Sequence, residues 1–267
     1  MTSGEELGTW RAAWDALRGR PLDHFPRAER SGSTRALSDS EVLGPAAAAF
    51  SGLTDDDPGL DRALALAAAS LKEVKDQTEY QDVKATRLLT VITFLGAFGA
   101  VLFGRYFDNV RPGVLLDAVS ARDDFWPLVP PLLAIISYVI FVFFLLCATL
   151  GALVTFHATR TRFRYALSAQ RKEVRSFLFF KPITETDPDA WGRSFLTEDG
   201  RAIAPDLRKR YLQHYVAETA LVAAKVADKV RYLAPAQRLL GRAIIALLIW
   251  MITALATLVT SGLTDLG

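Results

Sequence analysis

Three long apolar runs constrain this chain more than any other feature: Leu88–Tyr106, Pro131–Phe156 and Ala243–Ser261. Arg105, at the very end of the first, is the only Lys, Arg, Asp or Glu in any of them. Each run approaches or exceeds the roughly 20 residues a helix needs to cross a hydrocarbon core about 30 Å thick. The middle run holds sixteen Leu, Ile, Val or Phe residues between Leu132 and Phe156. At a few tenths of a kcal/mol each, these favour insertion by roughly 5–10 kcal/mol. A helix of a soluble domain rarely stays apolar on every face for so long. The expected fold is an all-α integral membrane protein with three transmembrane helices and long helical cytoplasmic extensions.

Charge sets the expected orientation. Lys72, Lys75, Lys84 and Arg87 precede the first run, whereas the loop from Asp108 to Trp126 carries two Arg and four Asp. Arg160, Arg162, Arg164, Arg171, Lys172 and Arg175 follow the second run, and Lys225, Lys229, Arg231, Arg238 and Arg242 precede the third. The excess of Lys and Arg marks the cytoplasmic side. The N-terminus and the long second loop are therefore expected on the cytoplasmic side, with the first loop and the C-terminus outside. The first thirty residues hold no apolar stretch of signal-peptide type, so the first span is expected to direct insertion. Cys147, the single cysteine, lies inside the second run and excludes an intramolecular disulfide.

These boundaries divide the chain into a cytoplasmic segment 1–60, a helix 61–107 that continues into the first span, and an outer loop 108–130. The second span 131–157, a cytoplasmic helical domain 158–242 and the third span 243–262 follow. Leu7, Trp10, Trp14 and Leu17 form a short amphipathic stripe, which suits either a partner surface or local core. Arg27 to Ser40 reads as loop. Asp55-Asp56-Asp57-Pro58 is a helix-start signal. The second span is expected to continue as helix to about Phe180, and Lys181–Pro205 to form turns or a short hairpin. Pro205 to Leu233 reads as a helix with Tyr211, Tyr215, Val222, Val226 and Val230 on one face, interrupted only by Glu218. Pro235 is expected to kink the entry to the last span.

No catalytic constellation is visible. His24, His157 and His214 are far apart, and there is no P-loop, zinc spacing or dinucleotide-binding glycine motif. Gly32-Ser33 and Asp39-Ser40-Glu41 are spaced too closely for a nucleotidyltransferase centre. No enzyme activity, metal or resident cofactor is expected. The basic residues carry more information. Ala158 to Arg242 contains 17 basic against 9 acidic residues. This surplus suits anionic lipid headgroups. It equally suits a phosphate-bearing ligand, because Arg binds phosphate through a planar fork. Arg160, Arg162, Arg164, Arg171, Lys172, Arg208, Lys209 and Arg210 are the candidate ligand contacts. For Arg208–Arg210, far from any span, the competing reading is ion pairing with the acidic N-terminal segment.

Within the apolar runs, Gly96, Ala100 and Gly104 recur every four residues, as do Cys147, Gly151 and Thr155. Such spacing lets helices approach closely within or between subunits. Thr90 and Thr93, and Thr253 and Thr257, are candidate pore-lining residues; the alternative is hydrogen bonding to carbonyls of their own helix. Three helices cannot enclose a pore alone, so conduction requires a homo-oligomer.

Leu71–Phe107 contains the pattern Asp82, Lys84, Ala85, Leu88, Leu89 and Thr90, a charged helix running into the first span. This stretch resembles the membrane-effector segment of bacterial anti-phage systems. Residues 211–236 are similar to the helix that such effectors place before their last span. The families are the Pycsar transmembrane effectors, the SLATT-type effectors and the membrane subunit of Hailong-type systems. The resemblance implies a homo-oligomer that breaches the inner membrane under nucleotide control. It implies a cyclic nucleotide or DNA oligonucleotide as regulatory ligand, and a nucleotidyltransferase or cyclase as partner, directly or through its product. The 60-residue N-terminal extension and the third span depart from the simplest Pycsar pattern. The rival expectation is a non-conducting membrane scaffold that recruits a cytoplasmic partner through residues 1–60.

Overall fold

Between Leu60 and Gly96 the chain holds no proline or glycine, and it forms one unbroken helix to Asn109. Asp57 starts it: its carboxylate accepts from the Gly59 N–H at 2.8 Å and its carbonyl from the Leu60 N–H at 3.0 Å. The computed structural model describes residues 7–19, 27–30, 33–36, 44, 48–54, 56–110, 129–160, 176–178, 183–184 and 186–264. In chain order the elements are α1 (Thr9–Leu17), β1 (Arg27–Arg30), β2 (Ser33–Ala36), α2 (Leu60–Asn109), α3 (Val129–Thr159), α4 (Pro188–Arg193) and α5 (Leu207–Thr264). The chain is predominantly helical, and α2, α3 and α5 are long and apolar enough to cross a membrane.

Several local expectations are corrected. Residues 27–36 are not all loop: β1 and β2 pair antiparallel, with Arg27 opposite Ala36 and Arg30 opposite Ser33. Ser31-Gly32, the two residues between them, are a hairpin spacing that composition alone masks. Pro235, where an entry kink was expected, lies inside α5, and helix continues on both sides of it. Pro235 is fully buried, so packing supports the helix where its missing N–H removes a hydrogen bond. The extension of the second span to Phe180 also fails near its end, since residues 176–178 are not helical. There, contacts of Phe177 with α5 outweigh helix propensity.

The chain divides into two compact units. The first comprises Met1–Arg20, Val83–Arg160 and Arg231–Gly267; the second comprises Pro21–Asp82 and Thr161–Val230. In the first, the Phe103 and Phe141 rings stack with centroids 4.0 Å apart and planes 6° from parallel. Trp250 stands against them, 5.1 Å from Phe141 and 6.3 Å from Phe103. Tyr106 and Tyr138 extend the cluster, and the Tyr138 hydroxyl donates to the Val110 carbonyl. One residue each from α2, α3 and α5 therefore fixes where the three helices meet.

Small residues set how closely they approach. A Cβ added at Gly99 would lie 2.9 Å from the ring of Phe144, which is fully buried. One added at Gly151 would lie 3.4 Å from Leu239 Cβ. Cys147 and Thr155 are fully buried alongside. Gly96, Ala100 and Gly104 differ: Ala100 and Gly104 are exposed, and nothing lies within 4 Å of a Cβ placed at Gly96 or Gly104. Within the subunit the close contact is thus made by Gly99, one position off the stripe that spacing picks out. Gly99→Leu is expected to lower stability in detergent by about 1–3 kcal/mol through overpacking. Gly96→Leu is expected to change it by less than about 0.5 kcal/mol. Thermal unfolding of the two variants, side by side, checks this.

Candidate functional site

A set of polar and aromatic groups gathers in the second unit, where α2 and α5 pair. Asp61 meets Arg208 at 2.9 Å and Asp82 meets Lys229 at 2.5 Å, each pair separated by 147 positions. A constant offset means that the two helix segments run parallel, in register, over this stretch. The two pairs are not equivalent. Arg208 and Asp61 are both largely exposed, a setting in which an ion pair contributes at most about 1 kcal/mol. Lys229 is only 4% exposed in its side chain, so its ammonium depends on Asp82 for charge compensation.

Two cavities lie along this pair. One of about 400 Å³ is lined by Leu64, Ala65 and Ala68 of α2 and by Leu207, Arg208, Tyr211 and Tyr215 of α5. It offers an apolar floor, two phenol rings and one guanidinium. The other, about 290 Å³, is lined by residues of mixed charge: Lys75, Glu79, Asp82, Glu218 and Lys225, with Thr78 and Val222. Burial, with Lys229 beside it, draws the Lys225 ammonium below the ordinary lysine range, and Asp82 partly offsets this.

An aromatic cluster braces the first cavity. Phe177 stacks on Tyr211 at 5.0 Å and 11°, and Phe195 and Trp191 pack edge-on behind it. The Phe177 N–H donates to His214 Nδ1 at 3.1 Å, which requires that nitrogen to be unprotonated. Burial, and then the nearby Arg210 guanidinium, push the His214 imidazole down to about 4. Burial, with Tyr215 adjacent, raises the Tyr211 phenol above its ordinary value. The segment after α4 turns tightly at Gly200, whose φ of +70° favours glycine, and an antiparallel bridge joins Leu196 to Ile203. That turn presents Phe195 to the cluster.

No protein-family model, curated protein or solved structure matches this chain.

The candidate ligand residues are separated by these contacts. Arg208, Lys209 and Arg210 all have partners in the second unit. Lys209 donates to the Ser51 carbonyl at 2.8 Å. Arg210 donates to the Ser194 carbonyl at 2.9 Å and pairs with Asp206 at 3.0 Å. Arg208 lines the larger of the two cavities described above, and Lys209 and Arg210 line neither. Arg160 belongs to the first unit and covers the Phe156 ring at 4.7 Å. Arg162, Arg164, Arg171 and Lys172 lie outside the described residues. The candidate pore residues make bonds within their own helices: Thr90 to the Thr86 carbonyl, Thr93 to Leu89, Thr253 to Trp250 and Thr257 to Thr253. Thr90 and Thr93 are exposed, whereas Thr257 is buried. Among the described residues no cluster of His, Cys, Asp or Glu is arranged to hold a metal ion. Sequence spacing did not single out His214 or Phe177; 37 positions separate them and neither belongs to a motif.

Two outcomes are expected. Because His214 binds its proton less readily in the folded chain than in the unfolded one, its contribution is fully present above pH 6.5. It is lost as pH falls to about 4, by at most about 3 kcal/mol. Unfolding temperatures across that range should fall for the native chain and flatten for His214→Gln. Asp82→Ala should cost about 1–3 kcal/mol by leaving Lys229 uncompensated. Adding Lys229→Met should restore most of that loss in the same unfolding assay.

Proposed function

We propose that this chain is an integral membrane protein of the bacterial inner membrane and acts as a homo-oligomeric channel or pore effector of anti-phage defence. In this reading α2, α3 and α5 cross the bilayer, and a nucleotide or oligonucleotide governs opening. The observation that carries it is the continuity of α2 and α5. Each passes without a break from a span-length apolar stretch into a charged segment, and those segments together line the cavity at Arg208. A change in the spacing of the paired segments would thereby reach the apolar stretches through continuous helix rather than through loops.

The cavity supplies the ligand chemistry. Tyr211 and Tyr215 offer faces to a base, and the Arg208 guanidinium can exchange the Asp61 carboxylate for a phosphate. The exchange is cheap because the Arg208–Asp61 pair is exposed and weak. A ligand that prefers the rearranged pair shifts the population toward it. The resemblance of residues 71–107 to anti-phage membrane effectors supports the same reading. The outward-facing Gly96, Ala100 and Gly104 lane leaves a surface on which copies can approach closely. A nucleotidyltransferase or cyclase is the partner this assigns, acting through its product.

Ion flux from liposomes containing the purified chain tests the proposal, with cyclic nucleotides and short DNA oligonucleotides added in turn. Flux that changes with one of them is the expected result. Arg208→Glu should then weaken the apparent ligand affinity by about 10- to 100-fold. Arg201→Glu, on an exposed turn outside the cavity, should leave it unchanged. Absence of flux under every condition, in vesicles that contain the oligomer, would favour the non-conducting scaffold instead.

A further inference from the structure

Helix α1 is amphipathic in the inverse of the usual sense. It buries Thr9, Ala12, Ala13, Asp15 and Ala16, and it packs against α3. Its large apolar side chains face away: Trp10 is 54% exposed, Trp14 52% and Leu17 58%. A helix docked on a soluble core places its large side chains inward and its small polar ones outward. Left in water, these three side chains would each forfeit about 1–2 kcal/mol of burial. Arg11 and Arg18 flank the apolar face and are themselves exposed.

The surroundings of α1 say what covers that face. The Arg18 guanidinium lies 4.3 Å from the centre of the Trp14 ring, and Arg242 reaches to 6.0 Å from that of Trp10. Arg242 immediately precedes the third apolar run. Beyond it, Ile244, Ile245 and Leu248 of α5 are also exposed, so apolar surface continues past the residue that meets Trp10. Phe156, which closes the second apolar run, is 49% exposed beneath Arg160. Exposed aromatic rings under guanidinium groups, at the ends of span-length runs, match the chemistry of a membrane–water boundary. There the ring enters the acyl edge while the cation reaches phosphate.

We infer that α1 is an interfacial anchor: Trp10, Trp14 and Leu17 enter the headgroup–acyl boundary of an anionic bilayer, and Arg11, Arg18 and Arg242 engage lipid phosphates. This rests on the membrane reading proposed above. The partner is lipid rather than protein because the face is short, bordered by Arg and adjacent to the apolar surface of α5. The anchor holds the N-terminal end of the chain at the boundary from which the third run enters the membrane.

The test uses full-length protein with Cys147→Ala, carrying an environment-sensitive probe at either Leu17→Cys or Leu248→Cys. Each is reconstituted in vesicles with and without phosphatidylglycerol. Lipids spin-labelled near the headgroup or deep in the chain, and aqueous iodide, serve as quenchers. The inference expects the Leu17 probe to be quenched about twofold more by the shallow label than by the deep one, and to resist iodide. It also expects Trp10→Ser with Trp14→Ser to abolish that lipid quenching while leaving the Leu248 probe lipid-quenched. A Leu17 probe open to iodide, with Leu248 still lipid-quenched, overturns the anchor and leaves the membrane reading intact. A Leu17 probe shielded from both quenchers also overturns it, by showing that protein covers the face. If Leu248 itself escapes lipid quenching, the membrane reading fails and the anchor with it.

Discussion

The stack of Phe103 on Phe141, with Trp250 against it, is the contact on which the first unit depends. Under the membrane reading proposed above, an aliphatic side chain gains little by leaving lipid tails for another helix, so association would rest on fit rather than on expulsion of water. Aromatic rings at defined angles, and glycines that let a ring sit close, supply that fit. Gly99 under Phe144 and Gly151 beside Leu239 bring the three helix backbones together around the stack. The remaining aliphatic surface, including Val101, Val139, Val142, Ile252 and Leu255, faces outward. In a globular domain this would be a large liability; under the membrane reading it is the solvated surface.

The second unit is held by different physics. There α2 and α5 are joined by charge and by aromatic packing, and the strengths are uneven along their length. At the end nearer the start of both helices, Asp61 and Arg208 form an exposed pair that water can replace at little cost. Twenty-one positions further along each helix, Lys229 is enclosed and Asp82 is needed to balance it. The pairing is therefore loose at one end and firm at the other. A ligand that acts by displacing Asp61 from Arg208 works at the end where displacement is cheapest, with the firm pair as its fulcrum.

Sequence alone revealed those features whose cause is local or compositional. The three apolar runs, the Asp57 start of α2 and the mixed turns around Gly200 each carry their own signal, because length, capping and positive φ depend on neighbouring residues. Features that depend on which faces meet were not legible. Spacing alone gave Gly96, Ala100 and Gly104 and Gly151 equal standing, yet only Gly151 is enclosed within the subunit. Gly99 escaped notice because nothing in the sequence says which way a uniformly apolar helix is rotated. The Phe177–His214 bond spans 37 positions and involves no motif. Arg208, Lys209 and Arg210 read as one basic cluster, but successive residues on a helix point about 100° apart, so each finds a different partner.

That last point bears on how a basic cluster should be weighed. Lys209 and Arg210 are occupied in joining the start of α5 to Ser51, Ser194 and Asp206, where their charge offsets local carboxylates and carbonyls. Reversing either would disturb the fold before it disturbed any ligand. Arg208 alone combines an exposed, weakly held guanidinium with a cavity wall that contains aromatic rings. Of the three adjacent basic residues, Arg208 is thus the one whose ion pair is exposed and whose side chain borders a cavity. The oligomer and the conductance are linked by packing. Three helices packed around Phe103, Phe141 and Trp250 fill their own centre. In the proposed channel the water-filled path would therefore run between subunits, with the lane at Gly96, Ala100 and Gly104 as the surface on which backbones could come closest.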